Sequence, residues 1–174
     1  MAQLVLETNR GASESQTIEV YLVRHAEAEA RDAARWPDDS DRPITARGAK
    51  RLRSFLLSLR CLPDHFELVA TSPLVRARQT ADILGEVALW GRFEEWPELE
   101  PKAYPSDVLE RIRATRFQRI ALVGHQPQMS ALLSVLLTGS PDELDTNFKK
   151  GAVALIAWDP RPGNHGKLEW LESP

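Results

Sequence analysis

The stretch VYLVRHAEAE, residues 20–29, places four apolar residues directly before Arg24 and His25. The run VYLV is typical of a buried β-strand, because β-branched, aromatic and aliphatic side chains pack well on a pleated surface. An arginine next to a histidine is unusual at the end of a buried strand, because charged side chains are rarely buried unless they are paired or functional. We therefore predict a first strand at residues 17–23 whose end carries functional side chains.

The rest of the chain alternates between helical and strand patterns. Residues 52, 55, 56 and 59 are apolar at helical spacing, which predicts a helix. Gly139 is a typical residue at the end of a helix. Residues 94–107 contain three prolines, so we expect this segment to be irregular. A turn-rich link at residues 159–167 predicts a terminal hairpin. The predicted helices are residues 45–60, 74–87, 108–115 (capped by Ser106 or Asp107) and 127–139, and the remaining strands are residues 66–73, 119–125, 152–158 and 168–171.

This alternation predicts the α/β class, with helices on both faces of one central sheet. The hairpin requires an antiparallel pair, so we expect a three-layer α/β/α fold whose sheet is mixed and mostly parallel. The 174 residues suit one domain, which we assign to residues 17–174, after a flexible N-terminal tail at residues 1–16.

Composition narrows the cellular setting. A net charge of -3 argues against general nucleic-acid binding, and the longest apolar run is too short to cross a bilayer. The first residues lack a basic start followed by an apolar stretch, so no export signal is expected. The single cysteine, Cys61, suits a reducing compartment, and we expect a cytoplasmic protein, monomeric, without membrane or nucleic-acid partners.

Three predicted strands end in residues that suit one chemistry. Arg24 and His25 follow the first strand, the turn SPLVR (residues 72–76) follows the second, and Gly124-His125 follows the third. Open α/β sheets bind ligands at the carboxyl ends of their strands. Each residue alone is more often a loop or surface side chain, but three at one edge indicate a site. Arginine and histidine together, with no carboxylate among them, favour an anion and above all a phosphoryl group.

Other phosphate chemistries find little support. The chain has no G-x-x-x-x-G-K-[ST] loop and no G-x-G-x-x-G, and Cys61 is followed six residues later by Glu67 instead of the arginine that a cysteine phosphatase needs. Residues 39–41 (DSD) resemble an aspartyl-phosphatase motif but lie in a polar loop with no strand before it. The histidines are too far apart in sequence to form a standard metal motif, so we expect no metal.

The ordered set of motifs resembles the histidine phosphatase superfamily, and within it the short, SixA-like phosphohistidine phosphatases. The similarity runs from about residue 20 to residue 170 and implies a phosphoglycerate mutase-like fold. The segments that carry it are LVRHAEAE (residues 22–29), RPITARG (42–48), TSPLVRARQTADIL (71–84), PELEP (97–101), LVGHQP (122–127) and GAVALIAW (151–158).

The resemblance implies that His25 is the nucleophile, which takes the phosphoryl group onto its ring and is then freed by water. Ser72 would mainly position its turn, and no metal or organic cofactor is implied. The residues that would hold the phosphate oxygens are Arg24, Arg76, His125 and, as a further contact, Arg42.

Two departures from the family pattern concern Ala26 and the general acid. Ala26 stands where glycine is usual, and the small methyl group should be tolerated. Larger relatives protonate the leaving oxygen with a carboxylate from the middle of the chain. Here the candidates are Glu98 and Glu100, with Glu27 and Glu29 as further ones, and each is more simply read as a solvated carboxylate.

A weak general acid favours phosphohistidine as the substrate, because its N–P bond is labile and its imidazole can leave carrying its own proton. We therefore expect phosphate removal from a signalling phosphoprotein, with a histidine-containing phosphotransfer domain as one candidate. One alternative is a phosphatase for small phosphoesters or for phosphoserine and phosphothreonine. Another, from a different class, is a non-catalytic phosphate-binding module.

Overall fold

The computed structural model describes residues 17–174, so the predicted N-terminal tail at residues 1–16 lies outside the described residues. Within this range, six strands and four α-helices follow one another along the chain, with short 3₁₀ turns at Asp39–Asp41 and Pro97–Leu99. The strands are β1 Ile18–Arg24, β2 His65–Thr71, β3 Leu89–Glu95, β4 Arg119–Gly124, β5 Val153–Trp158 and β6 Lys167–Glu172. The helices are α1 Ala46–Ser58, α2 Val75–Val87, α3 Pro105–Ala114 and α4 Gln128–Thr138.

The strands of residues 17–174 form one sheet in the order β3-β2-β4-β1-β5-β6. β3, β2, β4 and β1 pair in parallel, whereas β5 is antiparallel to both β1 and β6. The mixed, mostly parallel sheet and the terminal hairpin are thus confirmed.

Helices cover both faces of the sheet, because the central strands are apolar on both sides. In β1, Val20 and Leu22 pack toward α3 and α4, while Tyr21 and Val23 pack toward α1 and α2. All four side chains are nearly or completely buried. Burial of one such side chain contributes roughly 1.5–3 kcal/mol, so these two cores fix the position of β1 and of the residues that follow it.

The parallel register brings three strand ends to one edge. Arg24 of β1 pairs with Gly124 of β4, and Thr71 of β2 pairs with Val123. The amide of His25 then donates to the carbonyl of Gly124 over 2.9 Å. The residues that follow β1, β2 and β4 therefore meet at the carboxyl edge of the sheet, as the sequence predicts.

Helix α1 begins close to the loop that follows His25. Thr45 caps it by accepting a hydrogen bond from the amide of Gly48, and the Thr45 amide donates to the carbonyl of Glu27 over 2.8 Å. A Cβ at Gly48 would lie only 2.4 Å from that same carbonyl oxygen. Glycine at position 48 therefore allows α1 to approach the loop closely.

The structure differs from the sequence predictions at two elements. The predicted strands do not include β3, because this edge strand exposes most of its side chains and lacks an apolar run. The helix predicted at residues 108–115 starts earlier, at Pro105, and neither Ser106 nor Asp107 is its cap residue. Gly139, by contrast, ends α4 in the left-handed conformation as predicted, with φ of 84°. None of the helices described is both long and apolar enough to cross a membrane.

Candidate active site

The strand ends surround a cavity of about 570 Å³ at the carboxyl edge of the sheet. The side chains predicted for the site come from β1, from the loop after it, from the first turn of α2 and from the end of β4. The residues that line the cavity include Arg24, His25, Arg42, Arg76 and His125. The structure thus places the predicted nucleophile and all four predicted phosphate contacts around one cavity.

His25 is buried, with 8% of its surface exposed, and its ring is oriented by a backbone contact. Its Nδ1 lies 2.7 Å from the carbonyl oxygen of Ala26. A carbonyl can only accept a hydrogen bond, so Nδ1 carries the proton and Nε2 keeps its lone pair. Ala26 is itself held by the Thr80 hydroxyl, which accepts from its amide over 3.0 Å. This arrangement leaves Nε2 as the nucleophilic atom of the ring.

Burial, aided by the positive charges of Arg76 and Arg24, lowers the pKa of His25 to about 4. The hydrogen bond to Ala26 opposes this effect but does not outweigh it. A lowered pKa favours the neutral ring, so His25 is uncharged across the physiological range and available as a nucleophile.

We expect the ring signals of His25 in the free protein to titrate with a midpoint near pH 4, well below the ordinary value of 6.5. NMR of ring-labelled protein measures this, and a His25→Gln sample identifies the signal. Arg76→Met should raise the midpoint, because it removes a nearby like charge. A midpoint close to 6.5 in the unmutated protein would contradict the burial argument.

His125 lies beside His25, with the two ring centroids 5.0 Å apart. Its Nε2 is 2.9 Å from the hydroxyl of Ser72, and both residues are almost completely buried. Burial is the main reason that the pKa of His125 falls to about 2, so this ring is also neutral. Because the Ser72 hydroxyl can donate to Nε2, the Nδ1 of His125 can carry the proton and serve as a donor. Ser72 therefore contacts a site residue as well as forming the turn.

Three buried nitrogen atoms beside His25 find no hydrogen-bond partner within residues 17–174. They are Nε of Arg24, Nε of Arg76 and Nδ1 of His125. The terminal nitrogens of both arginines are anchored on backbone carbonyls, Arg24 on Phe148 over 2.6 Å and Arg76 on Asp39 over 2.7 Å. Buried donors normally have partners, so a convergent set without them fits an anion with several acceptor oxygens.

Asp39 contacts two of the predicted site arginines, a pairing that the sequence did not reveal. Its carboxylate accepts from Nε of Arg42 over 2.8 Å and lies 3.1 Å from a terminal nitrogen of Arg76. The hydrogen bond from Arg42, followed by the charge of Arg76, lowers the pKa of Asp39 and keeps it ionised. Its carboxylate therefore positions two arginines and is poorly suited to be a proton donor. The spacing of an acidic residue three positions before Arg42 was the available signal.

Arg42 is buried, with 8% exposure, which excludes the reading of a surface arginine. Besides its contact with Asp39, it donates to the carbonyl of Glu29 over 2.7 Å. Arg42 lines the cavity and holds the loop after β1 against it. A direct contact with phosphate stays a prediction.

The carboxylates predicted as general acids divide into two groups. Glu98 and Glu100 are not among the residues lining the cavity, and Glu98 instead pairs with Arg111 of α3 through two bonds of 2.9 and 2.7 Å. Glu27 and Glu29 do line it, but Glu27 pairs with Arg47, whose hydrogen bond lowers the pKa of Glu27. The placement of Glu98 and Glu100 does not favour an acid role for either.

Comparisons with known proteins agree with this geometry. The family model of the histidine phosphatase superfamily (branch 1) matches residues 20–104. The phosphohistidine phosphatase SixA of Escherichia coli is 31% identical over 161 residues, which cover 90% of this chain and 94% of that protein. An uncharacterized protein of Picosynechococcus is 34% identical over 139 residues, covering 78% and 82%.

A solved structure of the protein histidine phosphatase SixA complexed with tungstate has a TM-score of 0.77 and 27% identity, covering 90% of this chain and 97% of that one. The superfamily model, the two sequence relatives and the solved structure all indicate the same family. The chain therefore belongs to the histidine phosphatase superfamily and is an enzyme of the phosphatase class.

Proposed function

We propose that the protein removes phosphate from phosphohistidine through a covalent phosphohistidine on His25. The observation that carries the proposal is the neutral His25, whose Nε2 is free, next to three buried donors without partners in the described chain. The similarity to SixA, a phosphohistidine phosphatase, supports the same substrate class.

The first step is an in-line attack of His25 Nε2 on phosphorus. The new N–P bond forms as the N–P bond of the substrate breaks, and its electron pair returns to the leaving nitrogen. A substrate imidazole protonated on its second nitrogen then departs as the neutral ring, so the enzyme need not supply a proton. Arg24, Arg76 and His125 donate to the phosphoryl oxygens, and such preorganised donors stabilise charge that develops during transfer.

The second step is hydrolysis of phospho-His25. A water oxygen bonds to phosphorus while the N–P electron pair returns to Nε2, and the proton released by water leaves with the hydrogen phosphate. The carbonyl of Ala26 holds the Nδ1 proton throughout, so the ring returns in its original tautomer. At the end of the cycle every residue of the enzyme has the protonation state with which it started.

The physiological substrate in this proposal is a phosphohistidine on a signalling protein, a histidine-containing phosphotransfer domain being one candidate. We place the reaction in the cytoplasm, since Cys61, the single cysteine of the sequence, is free and exposed. An ester phosphatase is the second candidate, because Glu29 lines the cavity and has only a distant ion pair of 3.9 Å with Arg35.

A substrate comparison tests the proposal. We expect kcat/KM for a histidine-phosphorylated peptide to exceed that for 3-phosphoglycerate by at least about 10²-fold, because absence of a general acid typically costs about 10²–10⁴-fold on an alkyl ester. Release of inorganic phosphate is measured for both substrates at equal pH and ionic strength. Faster turnover of the ester would refute the substrate assignment and favour the second candidate.

A further inference from the structure

The turn after Phe148 is attached directly to the end of β1. Arg24 donates to the carbonyl of Phe148 over 2.6 Å, and the amide of Gly151 donates to the carbonyls of Arg24 and His25, both over 3.1 Å. Phe148 is fully buried, and Gly151, with φ of 76°, turns the chain into β5. The two residues between these anchors therefore have a fixed place beside the active site.

Those two residues are Lys149 and Lys150, and both are exposed. Lys150 lines the catalytic cavity and also an adjoining hollow of about 350 Å³, which Arg47 and Arg51 line on another side. Glu27 is shared by the two cavities as well. The hollow thus adjoins the active-site cavity.

Positive charge is concentrated here although the whole chain carries a net charge of -3. Seven cationic side chains but only two carboxylate side chains line the two cavities, and Arg51 also donates to the main-chain oxygen of Pro174 over 2.5 Å. Arg24, Arg42 and Arg76 belong to the phosphate site described above. The other four are all exposed, and we call them the basic rim: Arg31, Arg47, Arg51 and Lys150.

Acidic side chains of the protein neutralise the positive charge of the basic rim only in part. Arg47 pairs with Glu27, whereas Arg31 is 3.8 Å from Asp39, a carboxylate already engaged with two other arginines. Lys150 forms no hydrogen bond or salt bridge with any residue in the described range 17–174. Its ammonium group is therefore available to an acid on another molecule.

We propose that the basic rim binds carboxylate side chains that flank the phosphohistidine on the partner protein, an inference that rests on the proposed function. A phosphoryl group fills only a small part of a cavity of about 570 Å³, so the cavity has room for the phosphorylated imidazole and for side chains next to it. Exposed charges at such a mouth act mainly on the rate of encounter and on the choice of partner. The rim thus selects phosphohistidines in acidic surroundings.

Two synthetic peptides test the proposal. Each contains one histidine, flanked by glutamates in one peptide and by lysines in the other, and is phosphorylated with phosphoramidate. We expect kcat/KM to be about tenfold higher for the glutamate peptide at low salt, and the preference to shrink as NaCl rises from about 20 mM to about 300 mM. Phosphate release is measured for both peptides with the full-length protein.

The variant Lys150→Glu should reduce the ratio of the two kcat/KM values at least about fivefold. Arg60→Glu is the matched control, because Arg60 is exposed and precedes β2 at the opposite end of the sheet, and it should keep the ratio. A ratio near one in the unmutated protein, or an unchanged ratio in Lys150→Glu, would overturn the proposal for the rim alone. Turnover of neither peptide by protein that hydrolyses p-nitrophenyl phosphate would overturn the proposed function with it.

A small substrate with a second anionic group is the competing occupant of the rim. Its carboxylate would reach the same cations while its phosphate occupied the clamp. A kcat/KM for 3-phosphoglycerate above that of both peptides would show this and would overturn the assignment to a protein partner.

Discussion

Replacing His25 with alanine should lower turnover by at least about 10⁴-fold and abolish the covalent phosphoenzyme, since loss of a nucleophile removes the reaction path itself. The ring is oriented by the carbonyl of Ala26 and kept neutral by burial, whereas the Nε2 of the neighbouring His125 is engaged by the Ser72 hydroxyl. Rapid quenching with labelled phosphohistidine peptide measures the covalent state. The label should be stable to base and lost in acid.

The control for this experiment is His65→Ala. His65 is the first residue of β2, is exposed, and lies at the edge of the sheet opposite the site, so turnover should be retained. Added imidazole should partly restore turnover to His25→Ala, because it can occupy the space of the lost ring and attack phosphorus itself. Full labelling of His25→Ala would show that another residue carries the phosphoryl group.

The strand ends were predictable because two independent signals coincide in them. The central residues of β1 (20–23) and β4 (121–123) are buried on both faces of the sheet. Both strands are therefore continuous apolar runs in the sequence and can be predicted from it. Polar residues that directly follow such runs then stand at the carboxyl edge by the geometry of parallel strands. This is why His25 and His125 could be placed together from sequence.

Asp39 and the acid candidates show where sequence reasoning fails. Asp39 reaches Arg42 and Arg76 from a 3₁₀ turn in a polar loop, and the path of such a loop is set by tertiary contacts that local sequence does not encode. Glu98 was a candidate because of its motif, but its side chain is taken by Arg111, which lies 13 residues later on α3. The orientation of a partly exposed carboxylate depends on whichever cation the fold places nearby.

Burial disfavours the charged form of the predicted site arginines Arg24 and Arg76. Burial lowers the pKa of Arg76, which means that the charged guanidinium is less stable in this place than in water. Its ion pair with Asp39 opposes that effect without removing it, because the carboxylate is 46% exposed. An ion pair whose arginine is buried while its carboxylate is half exposed is weak support for a fold, so we expect Arg76 to be retained for its role at the site.

Arg76→Met should therefore separate activity from stability. We expect kcat/KM to fall about 10²–10³-fold, the usual effect of removing one preorganised donor, while the melting temperature stays the same or rises. Asp39 is not left as a buried unpaired charge, because it keeps Arg42 and contact with solvent. Phosphate release and thermal unfolding measure the two effects on the same samples.

Arg76→Lys and Arg78→Met complete this test. Lysine keeps the positive charge but lacks the planar guanidinium, which can donate to the Asp39 carbonyl and still present Nε to the cavity. The kcat/KM of Arg76→Lys should therefore stay well below that of the unmutated protein. Arg78, two residues later on α2, is exposed and pairs with Glu95, and its replacement should change kcat/KM by less than about threefold. If Arg76→Met lost activity and melting temperature together, Arg76 would be holding the fold. If it lost activity alone, the buried guanidinium is retained for the phosphoryl group.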